Sequence, residues 1–279
     1  MEVMRMETSK VSRMADKAME NLVEAVEKGK SSKMQAYLAM LGRFHRYSLG
    51  NVLLIASQRS GATRVAGYRT WKQLGRQVKK GEKGIRILAP IVIRKKEETV
   101  SEDEDEVIAF KAACVFDVSQ TEGKELPEFA KVKGRPGEAL ERLRELVAEQ
   151  GIELEYSNRI GPAEGMSAGG KIVLRQDLEQ GAEFSVLVHE LAHEMLYQRD
   201  GRPENKTVRE TEAEAVAFAV CQAVGLDTNS AASDYIQLYD GKKETLFASL
   251  ARIKDTAGEI IGAVTGERRH EQPQLAAAA

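Results

Sequence analysis

Residues 184–196 read Phe-Ser-Val-Leu-Val-His-Glu-Leu-Ala-His-Glu-Met-Leu. Phe184, Leu187, Val188, Leu191 and Met195 recur at the spacing of one apolar helix face, and no Gly or Pro interrupts them. On such a helix His189 and His193, at i and i+4, project from one side about one turn apart. Two imidazoles so placed can ligate one Zn2+, and Glu190 between them can take a proton from an attacking water. The chain holds only four histidines, His45, His189, His193 and His270, so this single turn carries half of them.

A catalytic zinc site takes three protein ligands and keeps a fourth position open. The longer pattern H-E-x-x-H-x-x-G-x-x-H is not met, because Leu196 and Arg199 stand where its Gly and third His would be. The third ligand is then expected to be a carboxylate on the next helix, where Glu210-Thr211-Glu212-Ala213-Glu214 runs. Glu210 and Glu214 share a face, and Glu212 points roughly 160° away. Glu210 is read as the ligand, Glu214 as an acceptor for a ligand imidazole N–H, and Glu212 as a solvated residue of the helix start.

Working outward, the second half continues as helix and strand. Leu140, Leu143 and Val147 set a helical period that Gly151 ends. Ile152–Tyr156 and Ile172–Leu174 read as strands, residues 182–198 and 207–224 as helices, and Leu246, Leu250, Ile253, Ala257 and Ile260 as one helical stripe. Residues 127–136, bounded by Pro127 and Pro136, form the expected linker, and the tail 267–279 is expected to be disordered. In the first half, 8–28, 34–47 and 51–60 read as helices, with a short helix after Gly67 that stops at Gly75. Ile85–Ile93 and Glu106–Val118 read as strands joined by an acidic hairpin loop. The expectation is an α+β chain: an N-terminal domain 1–126 of helices and a small sheet, and a zincin-like metallopeptidase domain 137–266 built on the His-Glu-x-x-His helix.

Charge separates the same two halves. Lys28–Lys96 carries seventeen cations against a single acid, Glu82, a net +16 that leaves −18 for the rest of a chain totalling −2. Such segregation suits two units with different partners, the first a polyanion. Aromatics lie among the cations, Phe44, Tyr47, Tyr68 and Trp71 beside Arg43, Arg46, Arg69 and Lys72, followed by Arg76, Lys79, Lys80 and Lys83. Cationic grooves track phosphates and aromatic faces stack unpaired bases, so single-stranded DNA is the expected partner. Trp71 also reads as a core anchor. Two cysteines, Cys114 and Cys221, exclude a disulfide framework and a Cys-based zinc ribbon. No apolar run is long enough to span a membrane, and the charged N-terminal stretch does not read as a secretory signal. A cytoplasmic protein without a membrane partner is expected.

The second half resembles gluzincin metallopeptidases of the ImmA/IrrE kind, in which a His-Glu-x-x-His helix precedes a helix carrying E-x-x-A-[DE]. Glu210–Glu214 fits that pattern, with Glu210 in the ligand place. The first half resembles the single-stranded-DNA-binding domain of ArdC-type antirestriction proteins through Tyr47–Asn51, Gly67–Gly75, Val78–Gly84, Ile87–Pro90 and Val115–Thr121. Asp234-Tyr235-Ile236 is similar to that family too, while the segment from His193 to Glu210 is short for it. The resemblance implies a zinc metallopeptidase delivered to single-stranded DNA, hydrolysing a DNA-associated or regulatory protein. Ile172–Leu174 would pair with the extended substrate as an added strand. The alternatives are a non-catalytic protein that shields DNA around a structural zinc, and a protein–protein module.

Overall fold

The computed structural model describes residues 2–93, 106–125, 136–197, 205–226, 238 and 242–266. The acidic loop, nearly all of the expected linker, Asp234–Ile236 and the tail lie outside the described residues. The chain packs as two units, one formed by Met1–Glu20 with Gly50–Leu126, the other by Asn21–Leu49 with Pro127–Gln272. The N-terminal domain expected over 1–126 is therefore divided, and residues 21–49 pack with the second half of the chain.

The reason lies in α2 (Ser31–Arg43). Its Gly42 lies so close to α7 (Lys206–Ala223) that a Cβ there would stand 2.4 Å from the Ala219 carbonyl oxygen. Ala213, Ala215, Ala217 and Ala219 are all buried along α7. Small side chains let neighbouring helices approach closely, and α7 is enclosed by α2, α6 (Gln180–Met195) and α8 (Lys243–Val264). Against this bundle lies a three-stranded sheet in the order β6 (Glu153–Tyr156), β8 (Lys171–Leu174), β7 (Gly165–Ser167). β6 runs parallel to β8 and β7 antiparallel to it. Helix α5 (Glu138–Glu149) buries Leu140, Leu143 and Val147 as its periodicity predicts.

The placement of β8 corrects one expectation. Ile172–Leu174 is the central strand, with both edges paired, and has no free backbone groups for a peptide. Among the described residues, the edge on this side without a neighbouring strand belongs to β7. Its hairpin to β8 turns through Gly169 and Gly170, whose φ values of +60° and +90° suit a two-residue turn.

In the first unit, α1 (Glu2–Glu27) contributes its leading residues, followed by α3 (Leu49–Gln58), β1 (Val65–Ala66), α4 (Tyr68–Gln73) and β2 (Arg76–Val78). β3 (Ile85–Ile93) and β4 (Glu106–Asp117) form a long antiparallel ribbon, and β5 (Thr121–Gly123) pairs with β2. Ile85, Ile87 and Ala89 alternate inward on β3. On the other face Arg86 stands across from Cys114, Leu88 from Ala112 and Pro90 from Phe110. β3 is an edge strand, and α3 blunts it. Asn51 bonds both the N–H and the carbonyl of Leu88 at 2.9 and 2.8 Å, and Gln58 does the same at Arg86.

Asp117 closes the ribbon. It caps a single 3-10 turn, Val118–Gln120, through a reciprocal capping box with Gln120. Its carboxylate also accepts from the Thr63 and Arg64 N–H groups at 2.8 and 3.1 Å. Burial alone would raise this carboxyl, but the donors on Ser119, Thr63 and Arg64 outweigh it and hold Asp117 below its ordinary value.

Candidate metal centre and cationic surface

Helix α6 presents its site side chains from a rigid base. Phe184, Leu187, Val188, Leu191 and Ala192 are wholly buried, which fixes its rotation. His189 and His193 emerge together, with Nε2 atoms 3.1 Å apart. The next helix begins at Asn205, whose side chain accepts from the Thr207 N–H at 2.9 Å. That start brings Glu210 round to the histidines, with Oε2 3.3 Å from His193 Nε2 and 3.6 Å from His189 Nε2.

These three atoms fit one divalent cation. Donors bound tetrahedrally at 2.0–2.1 Å stand about 3.3–3.4 Å from one another, and the three separations bracket that value. Two imidazole nitrogens facing each other at 3.1 Å also require a proton or a cation between them. Two imidazoles and a carboxylate suit Zn2+ and other first-row divalent ions. Glu214 Oε2 lies 3.7 Å from His189 Nδ1, at ion-pair rather than hydrogen-bond distance. Burial alone would lower the His189 imidazole. The carboxylates of Glu214, Glu190 and Glu210 outweigh it and raise the group.

Glu190 lies at the foot of β7. A Cβ on Gly165 would stand 2.9 Å from Glu190 Cγ and 2.5 Å from Val186 Cγ1, so only glycine lets the strand lie this near the helix. Ser167 donates to the Glu190 carboxylate from both its hydroxyl and its N–H, yet burial raises Glu190 overall, against the pull of His189 and these donors. One turn further along α6, Glu194 accepts from the Gly169 and Gly170 N–H groups at 3.0 and 2.8 Å. The hairpin is thus pinned to α6 at Val186, Glu190 and Glu194. Sequence reading missed β7, although Gly169-Gly170 between two short alternating runs is a hairpin signal.

Glu212 corrects another expectation. It is wholly buried rather than solvated. Its carboxylate accepts from Arg252 at 2.6 Å and from the Tyr197 hydroxyl at 2.9 Å. A charge at this depth is stable only when paired, and the partner comes from α8, forty residues away in sequence.

The residues expected to meet DNA divide into groups. Tyr68 is half exposed, and Arg69, Lys72, Lys80 and Lys83 are exposed on the first unit. Trp71 is not a stacking surface. It is 2% exposed, and its indole N–H donates to the Phe116 carbonyl at 2.8 Å. Arg76 fastens β2 to β5 through Thr121 and the Lys124 carbonyl, and Lys79 donates to the Ser119 carbonyl at 3.0 Å. Arg43, Arg46 and Tyr47 belong to the second unit, where Tyr47 packs edge-on against the buried Phe44. Among the described residues, no helix is long and apolar enough to cross a membrane.

Residues 8–116 match the family described as the N-terminal domain of anti-restriction factor ArdC. An uncharacterized protein of Bacillus anthracis is 25% identical over 272 residues, covering 80% of this chain and 46% of its own length. The chain thus spans about half the length of the curated relative it matches. Among solved structures, the metal-free crystal structure of the antirestriction ArdC protein from plasmid R388 aligns with a TM-score of 0.48 at 20% identity, covering 79% of this chain and 86% of that one. The Mn(II)-bound structure of the same protein aligns with a TM-score of 0.48 at 19% identity, covering 78% and 84%.

Proposed function

We propose that this chain is an ArdC-like antirestriction protein that binds single-stranded DNA and shields it, and that it carries a divalent-metal centre at His189, His193 and Glu210. The observation that carries this reading is the match of residues 8–116 to the ArdC N-terminal domain, over a stretch holding most of the chain's excess positive charge. Exposed lysines and arginines neutralise phosphates, and the absence of a helix-turn-helix or zinc-finger pattern leaves no device for reading a duplex groove. The test is a binding isotherm for single-stranded and duplex oligonucleotides at several salt concentrations. Tighter binding of the single strand, weakening steeply with salt, supports the proposal. Equal or absent binding removes it.

A second reading, metal-dependent hydrolysis of a peptide bond, is favoured by Glu190, because a purely structural site needs no carboxylate there. A divalent cation held by the three ligands supplies Lewis acidity and lowers the pKa of water. Glu190, beside the ligands and raised by burial, would take the proton of the attacking water and return it to the leaving amine. β7, the edge strand against α6, would hold an extended chain by the outward backbone groups other than the Ser167 N–H, which Glu190 accepts. The substrate of this reading is a protein at or near the bound strand. Incubating the metal-loaded protein and Glu190→Gln with single-stranded DNA and candidate proteins tests it. Cleavage by the wild type alone is the supporting result.

A further inference from the structure

The first unit contains a cavity of about 510 Å3 that the sequence did not announce. Three cations line it, Lys10 from α1, Lys83 from the turn before β3 and Arg86 from β3, together with Met14, Gln58 and Cys114. Lys10 and Lys83 are exposed, and neither ammonium has an ion-pair or hydrogen-bond partner among the described residues. Arg86 is partly neutralised by Glu7 at 3.3 Å. The wall is fixed from beneath. Gln58 bonds the Arg86 backbone on both sides, and the Lys83 carbonyl accepts from the Gln120 amide at 2.9 Å. Gly84 lets the backbone lie directly against Cys114, since a Cβ there would stand 2.9 Å from Cys114 Cβ.

We propose that this cavity seats one nucleotide of a single DNA strand, its phosphate between Lys10 and Lys83 and its base against Met14 and Cys114. The proposal rests on the single-stranded-DNA reading above and deepens it by naming the pocket. Two ammoniums with no partner among the described residues, around a concave wall, attract an anion. The soft, apolar Met14 and Cys114 beside them suit the face of a base rather than a second phosphate. The volume is that of a small-molecule pocket and does not admit a duplex. Lys10 falls outside the +16 segment and Arg86, though inside it, outside the residues named as DNA contacts, while Arg76 and Lys79 among those contacts are hydrogen-bonded within the fold.

Cys114 makes the proposal measurable. It is exposed, whereas Cys221 is wholly buried and its thiol is pushed up to about 12 by that burial. N-ethylmaleimide on the native, folded 279-residue chain therefore modifies Cys114, and mass spectrometry follows the rate. A saturating oligothymidylate is expected to slow that rate at least several-fold, with millimolar inorganic phosphate having little effect. Lys10→Ala with Lys83→Ala, both at the surface, is expected to weaken oligothymidylate binding about tenfold. It also lowers the salt slope by at least about 0.7, the value of one phosphate contact on a single strand. The charge-matched Lys17→Ala with Lys124→Ala, outside the cavity, changes binding less. If the wild type binds the strand but Cys114 reacts as fast as before, or the two double variants behave alike, the pocket is wrong and the DNA reading stands. Equal protection by inorganic phosphate makes the cavity a free-anion site and also overturns the proposal. If the wild type binds no single strand, the reading and the pocket fall together.

Discussion

Gly165 and Glu190 come so close that a Cβ at Gly165 would stand 3.0 Å from Glu190 Oε1. The position of the acid is thus set in part by a strand residue that has no side chain, beside the Ser167 donors on the same strand. Gly165→Ala is expected to push β7 away from α6, destabilise the protein by about 1–3 kcal/mol and suppress any hydrolysis. Metal content should be unchanged, because no ligand is touched. Denaturant unfolding and metal analysis on one preparation check this, and loss of metal would show that β7 supports the ligands as well.

Glu210 and Glu212, two residues apart, should fail differently. Glu210→Ala removes a donor from a half-exposed side chain, so metal binding weakens and stability in the metal-free state hardly changes. Glu212→Ala leaves Arg252 without its partner in a buried setting, at a cost of about 3–5 kcal/mol. Calorimetric titration with Zn2+ and with Mn2+, beside thermal unfolding of the metal-free protein, separates the two. Stoichiometric metal in Glu210→Ala would disprove the ligand assignment.

Trp71 and Tyr68 should likewise part company. Trp71→Ala empties a buried site and is expected to cost about 3–5 kcal/mol. Tyr68→Ala leaves stability nearly intact and weakens single-strand binding, since a stacked base is worth about 1–3 kcal/mol. Oligonucleotide titrations at matched folded fraction distinguish stacking from folding.

The pH dependence of the first unit should follow Asp117. Its folded pKa lies below the ordinary 3.8, so the unfolded chain binds the proton more tightly. The stabilisation is fully present above that ordinary value and disappears as pH falls through the folded pKa. Acid unfolding followed by Trp71 fluorescence should show this drop, and Asp117→Asn should be less stable at neutral pH with a flatter acid limb. An unchanged limb would place the titration elsewhere.

Glu190→Gln should keep metal and DNA binding and abolish hydrolysis, because the amide cannot accept the water's proton. A restriction-protection assay in cells then weighs the two readings. Full protection by the variant favours shielding, and lost protection with intact DNA binding favours hydrolysis.

The i, i+4 spacing of His189 and His193 and the carboxylate that follows are local patterns, and the fold brings Glu210 within 3.6 Å of both imidazoles. The long elements α5, α6, α7 and α8 could be read for the same reason, since periodicity over three or more turns outweighs local noise. The three-residue β7 could not, because a strand that short exists only through its pairing with β8 and its contact with Glu190. The burial of Glu212 was hidden by a different cause. A helix start rich in carboxylates reads as solvated unless one knows that α8 delivers Arg252 to it. Arg76 and Lys79 counted as DNA contacts in a tally of charge, but their hydrogen bonds run to the backbone of residues 119–124. Only the three-dimensional register separates such cations from Lys83.

The fit of Gly42 against Ala219 has a consequence for inheritance. A recombination event that joined residues 1–126 to a new downstream gene would carry α2 along and strip it from α7. The donated piece would keep a helix with no seat, and the remainder would lose one wall of its bundle. Although charge and motif divide this chain into a basic half and a metal half, the two are not interchangeable cassettes. Viable chimaeras should cross over on both sides of residues 21–49, exchanging that insert together with the C-terminal bundle.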